Sequence, residues 1–293
     1  MTNYPGNSAV RCFHAPLNAL RKVLCYTYVS FHAATLTLLG TSAAFAEIIY
    51  ATSFEAPTFT AGALIDGQDV WTSRFGQPIG TVETDAPNRG KQYLRAALSG
   101  FPPSPEFVVD EAFQAILNYD AIANHTPRLH LSIAARLDGP VVADDVVNAV
   151  FEALPGDISS QGHPFGQFSI SADGNLYVYG SRFEDLLVVG GIELGRYYEL
   201  GLNLDFIKRK TTFLLDGTEL ARFPFADEIQ STVLAFAEVD ALAINDPTLF
   251  ADYTARFDDY SVSTIGEPAS GALAVVGLLF LSTLACRKRT VSY

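Results

Sequence analysis

The chain has 293 residues, of which 49% are hydrophobic and 17% are charged, and its formal net charge is −13. This apolar fraction is enough to bury a sizeable core, which excludes a chain that is disordered along most of its length. The acidic balance opposes binding to a phosphate backbone, because such binding depends on basic side chains. We therefore expect an ordered protein that has no nucleic-acid partner.

The first 46 residues differ from the rest of the chain because they contain no acidic residue. Arg21-Lys22 precedes a mostly apolar stretch, residues 23–40, and the segment ends in Ala44-Phe45-Ala46, a small-x-small pattern typical of signal-peptidase sites. Residues 1–46 are therefore predicted to be a signal peptide that is cleaved before Glu47. A retained membrane anchor is the alternative, which the polar side chains within the apolar stretch disfavour.

The other end of the chain carries a second apolar segment. Residues 268–286 hold no charge over 19 residues, a length that as a helix just reaches across the roughly 30 Å of a bilayer core. Arg287, Lys288 and Arg289 follow at once, and basic residues stay on the cytoplasmic side. We predict a transmembrane helix over 268–286 with this basic anchor inside. The alternative, a buried helix of a globular domain, lacks support because residues 272–281 are apolar on every side.

Gly266, Glu267 and Pro268, then the apolar helix and the basic end, resemble the PEP-CTERM sorting signal of proteins that certain Gram-negative bacteria export. The usual motif is Pro-Glu-Pro, and Gly266 stands in place of the first proline. The resemblance implies that residues 266–293 are a sorting tail. It also implies that an exosortase, a membrane protease with a catalytic cysteine, cuts near the motif. The passenger would then reach the cell surface or its polysaccharide matrix.

The passenger between these segments, residues 47–265, is strongly acidic. It holds 13 Lys and Arg against 31 Asp and Glu, a net charge of −18. The three cysteines, Cys12, Cys25 and Cys286, all lie outside it. The passenger therefore cannot depend on disulfides, thiol catalysis or a cysteine zinc site, and its stability must come from a hydrophobic core.

Within the passenger the apolar residues recur with a period of two, in short runs rich in β-branched and aromatic residues. Asp173-Gly174 and Asp216-Gly217 separate such runs and predict tight hairpins, and Lys208-Arg209-Lys210 is predicted at a hairpin tip. Residues 144–154 fit either a helical turn or a strand. The pattern predicts an all-β domain, with a sandwich or jelly roll favoured over a barrel. The predicted strands are 93–98, 128–134, 168–170, 176–179, 197–204, 211–215 and 260–263.

Several of these segments resemble bacterial concanavalin A-like lectin and glucanase domains of the LamG-like type. The similar parts are 53–56 with 61–68 and Trp71 at the opening, 197–205 with 211–217 and 223–225 in the middle, and 257–262 as a closing strand. The likeness spans about residues 53–262. It implies a concanavalin A-like jelly roll that binds carbohydrate or serves as a structural module, and it transfers no functional residue.

Glucanases on this fold act through paired carboxylates, so an enzyme of this type requires such a pair among its acidic residues. A retaining glycosidase needs two carboxyls about 5 Å apart, which alternate residues of one strand can supply. No Glu-x-Asp-x-Glu or Glu-x-Asp-x-x-Glu run occurs. Glu106, Asp110 and Glu111 are assigned to a proline-rich loop, and Glu184-Asp185 would point to opposite faces of a strand. We predict no catalytic residue, with a polysaccharide-active hydrolase or lyase as the alternative function.

Calcium is the one cofactor that the passenger's acidic loops suggest, since calcium takes several carboxylate and carbonyl oxygens. No EF-hand loop is present. Trp71, the only tryptophan, is a candidate sugar-stacking platform, although packing in the core or at its rim is more usual for a lone aromatic residue. The candidate calcium ligands are Asp66 with Asp69, Asp144 with Asp145, and Asp258 with Asp259.

The signals at the two ends predict a processed protein that begins near Glu47 and ends near Gly266 in a host that has the exosortase. Intact-mass spectrometry of the surface fraction measures both ends at once. A species that retains Met1 would contradict the signal peptide. One that keeps residues 287–293 at steady state would contradict cleavage of the tail.

Overall fold

The computed structural model describes residues 46–73, 80–97, 109–143, 147–156, 163–182, 184–243 and 253–266. Ala46–Gly266 form one compact unit. No helix in these ranges is long and apolar enough to cross a bilayer. Ala46 and Gly266 stand at the two ends of the described part. The other predicted sorting and cleavage residues, Ala44, Glu267, Pro268 and Arg287–Arg289, lie outside it, as does the predicted helix 268–286.

The described residues form fifteen strands and no helix, which confirms the all-β prediction. All strand pairs are antiparallel, and they make two sheets. The strands of sheet A are β1 (Ile48–Thr52), β3 (Thr81–Glu83), β4 (Tyr93–Ala97), β6 (Arg128–Asp138), β11 (Tyr198–Asp205), β12 (Lys210–Leu215), β13 (Thr218–Pro224) and β15 (Thr254–Thr264). The strands of sheet B are β2 (Trp71–Ser73), β5 (Val109–Asp120), β7 (Val147–Pro155), β8 (Gly166–Ser171), β9 (Asn175–Tyr179), β10 (Leu186–Gly190) and β14 (Val233–Ala243).

The order of strands places β6 and β15 near the middle of sheet A and β7 and β14 near the middle of sheet B. Sheet A runs β13-β12-β11-β6-β15-β4-β3, with β1 also paired to β15. Sheet B runs β10-β9-β8-β7-β14-β5-β2. Consecutive strands pair toward the ends of the sheets, whereas pairing between strands that are distant in sequence builds the centre of each sheet.

The core lies between the two sheets because each strand turns alternate residues toward the other sheet. On β6 the inward residues are Leu129, Leu131 and Ile133, and on β7 they include Phe151, all of them fully buried. Both sets belong to one hydrophobic cluster that includes residues of both sheets. The chain is a β-sandwich, and polar residues are left for the two outer faces.

The predicted hairpins are confirmed. Asp216 and Gly217 form a two-residue loop between β12 and β13 with φ of 48° and 73°, the left-handed geometry that the Asp-Gly pair accepts. Gly174, at φ 77°, closes the turn between β8 and β9, where the Asp173 carboxylate accepts the Asn175 N–H at 3.0 Å. Lys208-Arg209 lies in the turn between β11 and β12.

The structure assigns two segments whose secondary structure the sequence pattern left open or predicted wrongly. Of residues 144–154, those from Val147 onward form strand β7, while 144–146 lie outside the described residues. The assignment of Asp110 and Glu111 to a loop was wrong, since both lie in β5, paired with β14. The prolines that suggested a loop end at Pro105, before β5 begins. None of them therefore removes a backbone N–H from the hydrogen bonds of β5. Glu106 is outside the described residues.

Truncation of one core ring should show how much the sandwich depends on this packing. Phe151→Ala is expected to lower the free energy of unfolding by about 3 to 5 kcal/mol, because Phe151 is fully buried and its ring centroid lies 6.3 Å from that of Tyr260. Ile207→Ala is the control, since Ile207 is 63% exposed in a turn, and it should change that free energy by less than about 0.5 kcal/mol. Equal urea midpoints for the two variants would contradict the assigned core.

Candidate functional site

Three carboxylates meet on the outer face of sheet B. Glu238 and Asp240 alternate on β14 with Val239, which is buried in the core, so both acids point away from the core. Glu152 on β7 is the register partner of Glu238. Oxygens of these three residues, here called the carboxylate cluster, lie within 4.8 Å of one another.

Burial makes the carboxylate cluster unlike an ordinary acidic surface. Glu238 is 0% exposed and Asp240 is 6% exposed, whereas Glu152 is half-buried. Like charges repel more strongly where water is excluded, so a bound cation would stabilise this arrangement. Carboxylate oxygens are the ligands that calcium prefers, and among the described residues this is the group that could hold a metal ion.

The register of sheet B aligns the carboxylate cluster with two tyrosines in neighbouring strands. Pairing from β10 to β14 makes two rows of outward side chains. One row is Leu186, Tyr179, Gln167, Glu152 and Glu238, and the other is Val188, Tyr177, Ser169, Val150 and Asp240. Because neighbouring strands lie about 4.8 Å apart, Tyr179 is two strands, or about 10 Å, from Glu152. We call these rows the tyrosine–carboxylate face.

The two tyrosine rings of this face are nearly parallel. Their centroids are 6.3 Å apart and their planes differ by 13°. The Tyr177 hydroxyl donates to the Asp173 carboxylate at 2.7 Å, which holds that ring in place. Beyond them, Leu186 and Val188 are 46% and 47% exposed. The parallel rings and the exposed aliphatic side chains provide apolar area beside hydrogen-bonding side chains, a combination that suits a ligand with one apolar and one polar aspect.

Trp71 is not part of any surface platform. It is 1% exposed, and its indole N–H donates to the Tyr50 hydroxyl at 2.9 Å. Its ring packs against Phe54 and Tyr260, with centroids 5.3 and 5.5 Å away. The core-packing interpretation of this residue is confirmed, and the sugar-stacking role is excluded.

The predicted calcium ligands have separate surroundings. The Asp66 carboxylate accepts the Thr72 hydroxyl at 3.1 Å, and the Asp69 carboxylate accepts the Tyr50 hydroxyl at 2.6 Å. Asp144 and Asp145 lie outside the described residues. None of these contacts tests calcium binding, which stays a prediction.

Asp258 holds a loop rather than facing solvent. It is fully buried, and its carboxylate accepts the backbone N–H groups of Asn88, Arg89 and Asp259 at 2.9, 3.1 and 2.8 Å. Burial raises the pKa of Asp258 to about 6, against the opposing effect of these hydrogen bonds. Protein donors therefore engage both oxygens, while the Asp259 carboxylate accepts the Asn88 side-chain amide at 3.0 Å.

Sequence reasoning missed the carboxylate cluster for an identifiable reason. A run of three acids in one strand is the pattern that a sequence displays, but β14 supplies only Glu238 and Asp240, and the third acid comes from β7. The available signal was Glu-x-Asp within the otherwise apolar run 234–241, where alternate charges mark one face of a strand. The pairing of β7 with β14 joins residues far apart in the chain, and no local pattern reveals it.

No protein-family model and no curated protein sequence matches the chain. Solved structures with a similar chain path include a sialidase, with a TM-score of 0.47 and 12% identity over 76% of this chain and 19% of that one. A carbohydrate esterase of the Shiga toxin-encoding bacteriophage phi24B has a TM-score of 0.49 and 13% identity, over 75% of this chain and 99% of the esterase. A family 7 alginate lyase has a TM-score of 0.45 and 14% identity, over 64% of this chain and 82% of the lyase.

The present chain thus spans only 19% of the sialidase chain. At these identities and TM-scores, no substrate and no reaction is transferred to it from any of the three proteins. A ligand for the outer face of sheet B is therefore inferred from the side chains of that face alone.

The raised pKa of Asp258 predicts how stability changes with pH. Its folded pKa of about 6 lies above the ordinary value of 3.8, so between these values the folded protein binds a proton that the unfolded chain does not. The stabilising effect of this proton therefore appears as the pH falls through 6. The lowered pKa values of Asp85 and Asp173 act below 3.8, outside this window.

Melting curves at about pH 7.5 and about pH 5 measure this effect. Relative to Asp258→Asn, the wild type should gain melting temperature on acidification, because only the wild type takes up this proton. Asp227→Asn is the control, since the side chain of Asp227 is 93% exposed, and it should keep the wild-type pH dependence. Parallel pH profiles for wild type and Asp258→Asn would disprove the assignment.

Proposed function

We propose that this protein is exported and that its sandwich binds an extended polysaccharide along the tyrosine–carboxylate face. The observation that carries the proposal is the register that aligns Tyr177 and Tyr179 with Glu152, Glu238 and Asp240 across neighbouring strands. Sugar rings have one face rich in C–H groups, which packs on aromatic rings. The hydroxyls at the rim of the sugar donate hydrogen bonds to carboxylates, and they exchange hydrogen bonds with side-chain amides. The face offers both.

The length of this face favours a polymer over a single sugar. The rows cross five strands, which is four spacings of about 4.8 Å, or about 19 Å from β10 to β14. Leu186 and Val188 extend the apolar part to the edge strand, while Gln167 and Ser169 join the tyrosines to the carboxylate cluster. Several sugar units would be needed to reach from the exposed side chains of β10 to the half-buried Glu152 on β7, whereas one unit would contact only a part of that row.

The proposed fold and the proposed cellular localisation follow from the sequence patterns. The two antiparallel sheets support a concanavalin A-like jelly roll, as the resemblance over residues 53–262 implies. The leader 1–46 and the PEP-CTERM-like tail 266–293 support export across the inner membrane and a transient membrane anchor. An exosortase-type protease would then sort the passenger to the cell surface or the extracellular matrix, where polysaccharide is present.

Removal of the two tyrosine rings tests the binding function. Because aromatic contacts contribute about 0.5 to 1.5 kcal/mol each, the double variant Tyr177→Ala/Tyr179→Ala should bind its polymer about tenfold more weakly or worse. Affinity electrophoresis against neutral and acidic polysaccharides, with calcium and with chelator, provides the measurement. Tyr179→Phe keeps the ring and should bind as the wild type does. Unchanged mobility of the double variant in a polymer that retards the wild type would refute the proposed face.

The convergence of three carboxylates favours a second candidate, a hydrolase or lyase acting on the bound polysaccharide. Separations up to 4.8 Å approach the roughly 5 Å between the two carboxyls of a retaining glycosidase. Glu152 is the half-buried member, so it is the acid that a polymer on the outer face would reach first. New reducing ends would indicate a hydrolase, and absorbance from an unsaturated product would indicate a lyase. Turnover that Glu152→Gln abolishes while binding persists would establish the enzyme, and bound polymer without products would exclude it.

A further inference from the structure

A pocket lies on the outer face of sheet A, on the other side of the core from the carboxylate cluster. Its volume is about 360 Å³, within the range of about 300 to 1,000 Å³ typical of small-molecule sites. The floor consists of small side chains of β6 and β15, where the hydroxyls of Ser132 and Ser261 are 2.8 Å apart. An irregularity in the pairing of β15 with β6, between Asp258 and Ser261, accompanies this depression.

The walls of the pocket are held in place by hydrogen bonds. Asn88 and Arg89 line one side, and their backbone N–H groups are bound by the buried carboxylate of Asp258. The carboxylate of Glu55 binds the same loop further along, accepting the Gln92 N–H at 2.9 Å. The Tyr197 hydroxyl donates to the carbonyl of Ala86 at 2.9 Å, which joins a second wall to that loop. The pocket is therefore formed before any ligand binds.

The charges that line the pocket are mostly negative. Glu199, Asp216 and Asp259 contribute three carboxylates against one guanidinium, that of Arg89. Arg196 pairs with Asp216 at 3.3 Å, and Arg89 lies 3.7 Å from Asp259 with a side chain that is 78% exposed. In the described part of the chain, the exposed carboxylate of Glu199 makes no hydrogen bond or ion pair. The Glu199 carboxylate can therefore accept a hydrogen bond from a cationic ligand.

We propose that this pocket binds a small hydroxylated molecule that carries a primary ammonium group, such as an amino sugar whose nitrogen is not acetylated. Glu199 would accept the ammonium, and the hydroxyls would exchange hydrogen bonds with Ser132 and Ser261. A passenger charge of −18 adds a field that attracts cations to a recessed acidic site. This site is separate from the tyrosine–carboxylate face and does not depend on the proposed polysaccharide function.

Calorimetric titration of the full-length protein with glucosamine tests the proposal, with N-acetylglucosamine and glucose as matched ligands. Glucosamine should bind at least tenfold more tightly than either, and its affinity should fall as salt is raised, because salt screens the charge pair. Glu199→Gln should remove the preference, and Ser132→Leu, which fills the floor, should abolish binding. Glu193→Gln is the control, because Glu193 is exposed and does not line the pocket.

The result that would overturn the proposal is equal binding of the three sugars, or a glucosamine preference that survives Glu199→Gln. The double variant Tyr177→Ala/Tyr179→Ala separates this site from the other face. It should still bind glucosamine with wild-type affinity, whatever its effect on polysaccharide. A parallel loss of both activities in that variant would place glucosamine on the tyrosine–carboxylate face and would refute the pocket on sheet A.

Discussion

The burial of Val239 between two outward-facing carboxylates sets the register on which the outer face of sheet B depends. A strand has a side-chain period of two, so a shift of one residue in β14 would move Val239 to the outer face and place Glu238 and Asp240 in the hydrophobic core. The cost of burying unpaired charge makes that alternative inaccessible. The packing of apolar residues against sheet A therefore also determines where the carboxylates stand, and the positions of Glu152, Gln167 and Tyr179 follow from pairing to β14 strand by strand.

This organisation brings three carboxylates together on the outer face of sheet B. Two buried carboxylates and a half-buried third repel one another more strongly than exposed acids do. Sheet A shows the contrasting use of a buried acid, since the Asp258 carboxylate accepts three backbone N–H groups and orders a loop. The same chemical group therefore orders a loop on one side of the core and forms part of the proposed binding face on the other.

Local features of the fold were predictable from the sequence, because they depend on neighbouring residues. The period-two runs predicted β8, β9, β11 and β12, and the Asp-Gly pairs predicted the turns between them. The error at Asp110 and Glu111 arose because nearby prolines were allowed to extend a loop into β5. Periodicity alone did not settle β7, since both of its faces are mostly buried and its apolar pattern is nearly continuous.

The candidate site was beyond sequence reasoning for a different reason. Glu152 and Glu238 are 86 residues apart, and they meet only because β7 and β14 pair in the middle of sheet B. The stacking of Tyr177 with Tyr179 was implicit in their alternate positions, but their alignment with the acids required the order of four strands. Pocket formation at Ser132 and Ser261 likewise needed the contact between β6 and β15.

A crystal structure of the protein with an oligosaccharide of the polymer that it binds best would test the central claim most directly. The account predicts a chain of sugar units that crosses β9, β8 and β7, with ring faces on Tyr177 or Tyr179 and hydroxyls at Glu152. An oligosaccharide bound away from sheet B, with the tyrosine–carboxylate face left in contact with solvent alone, would contradict it.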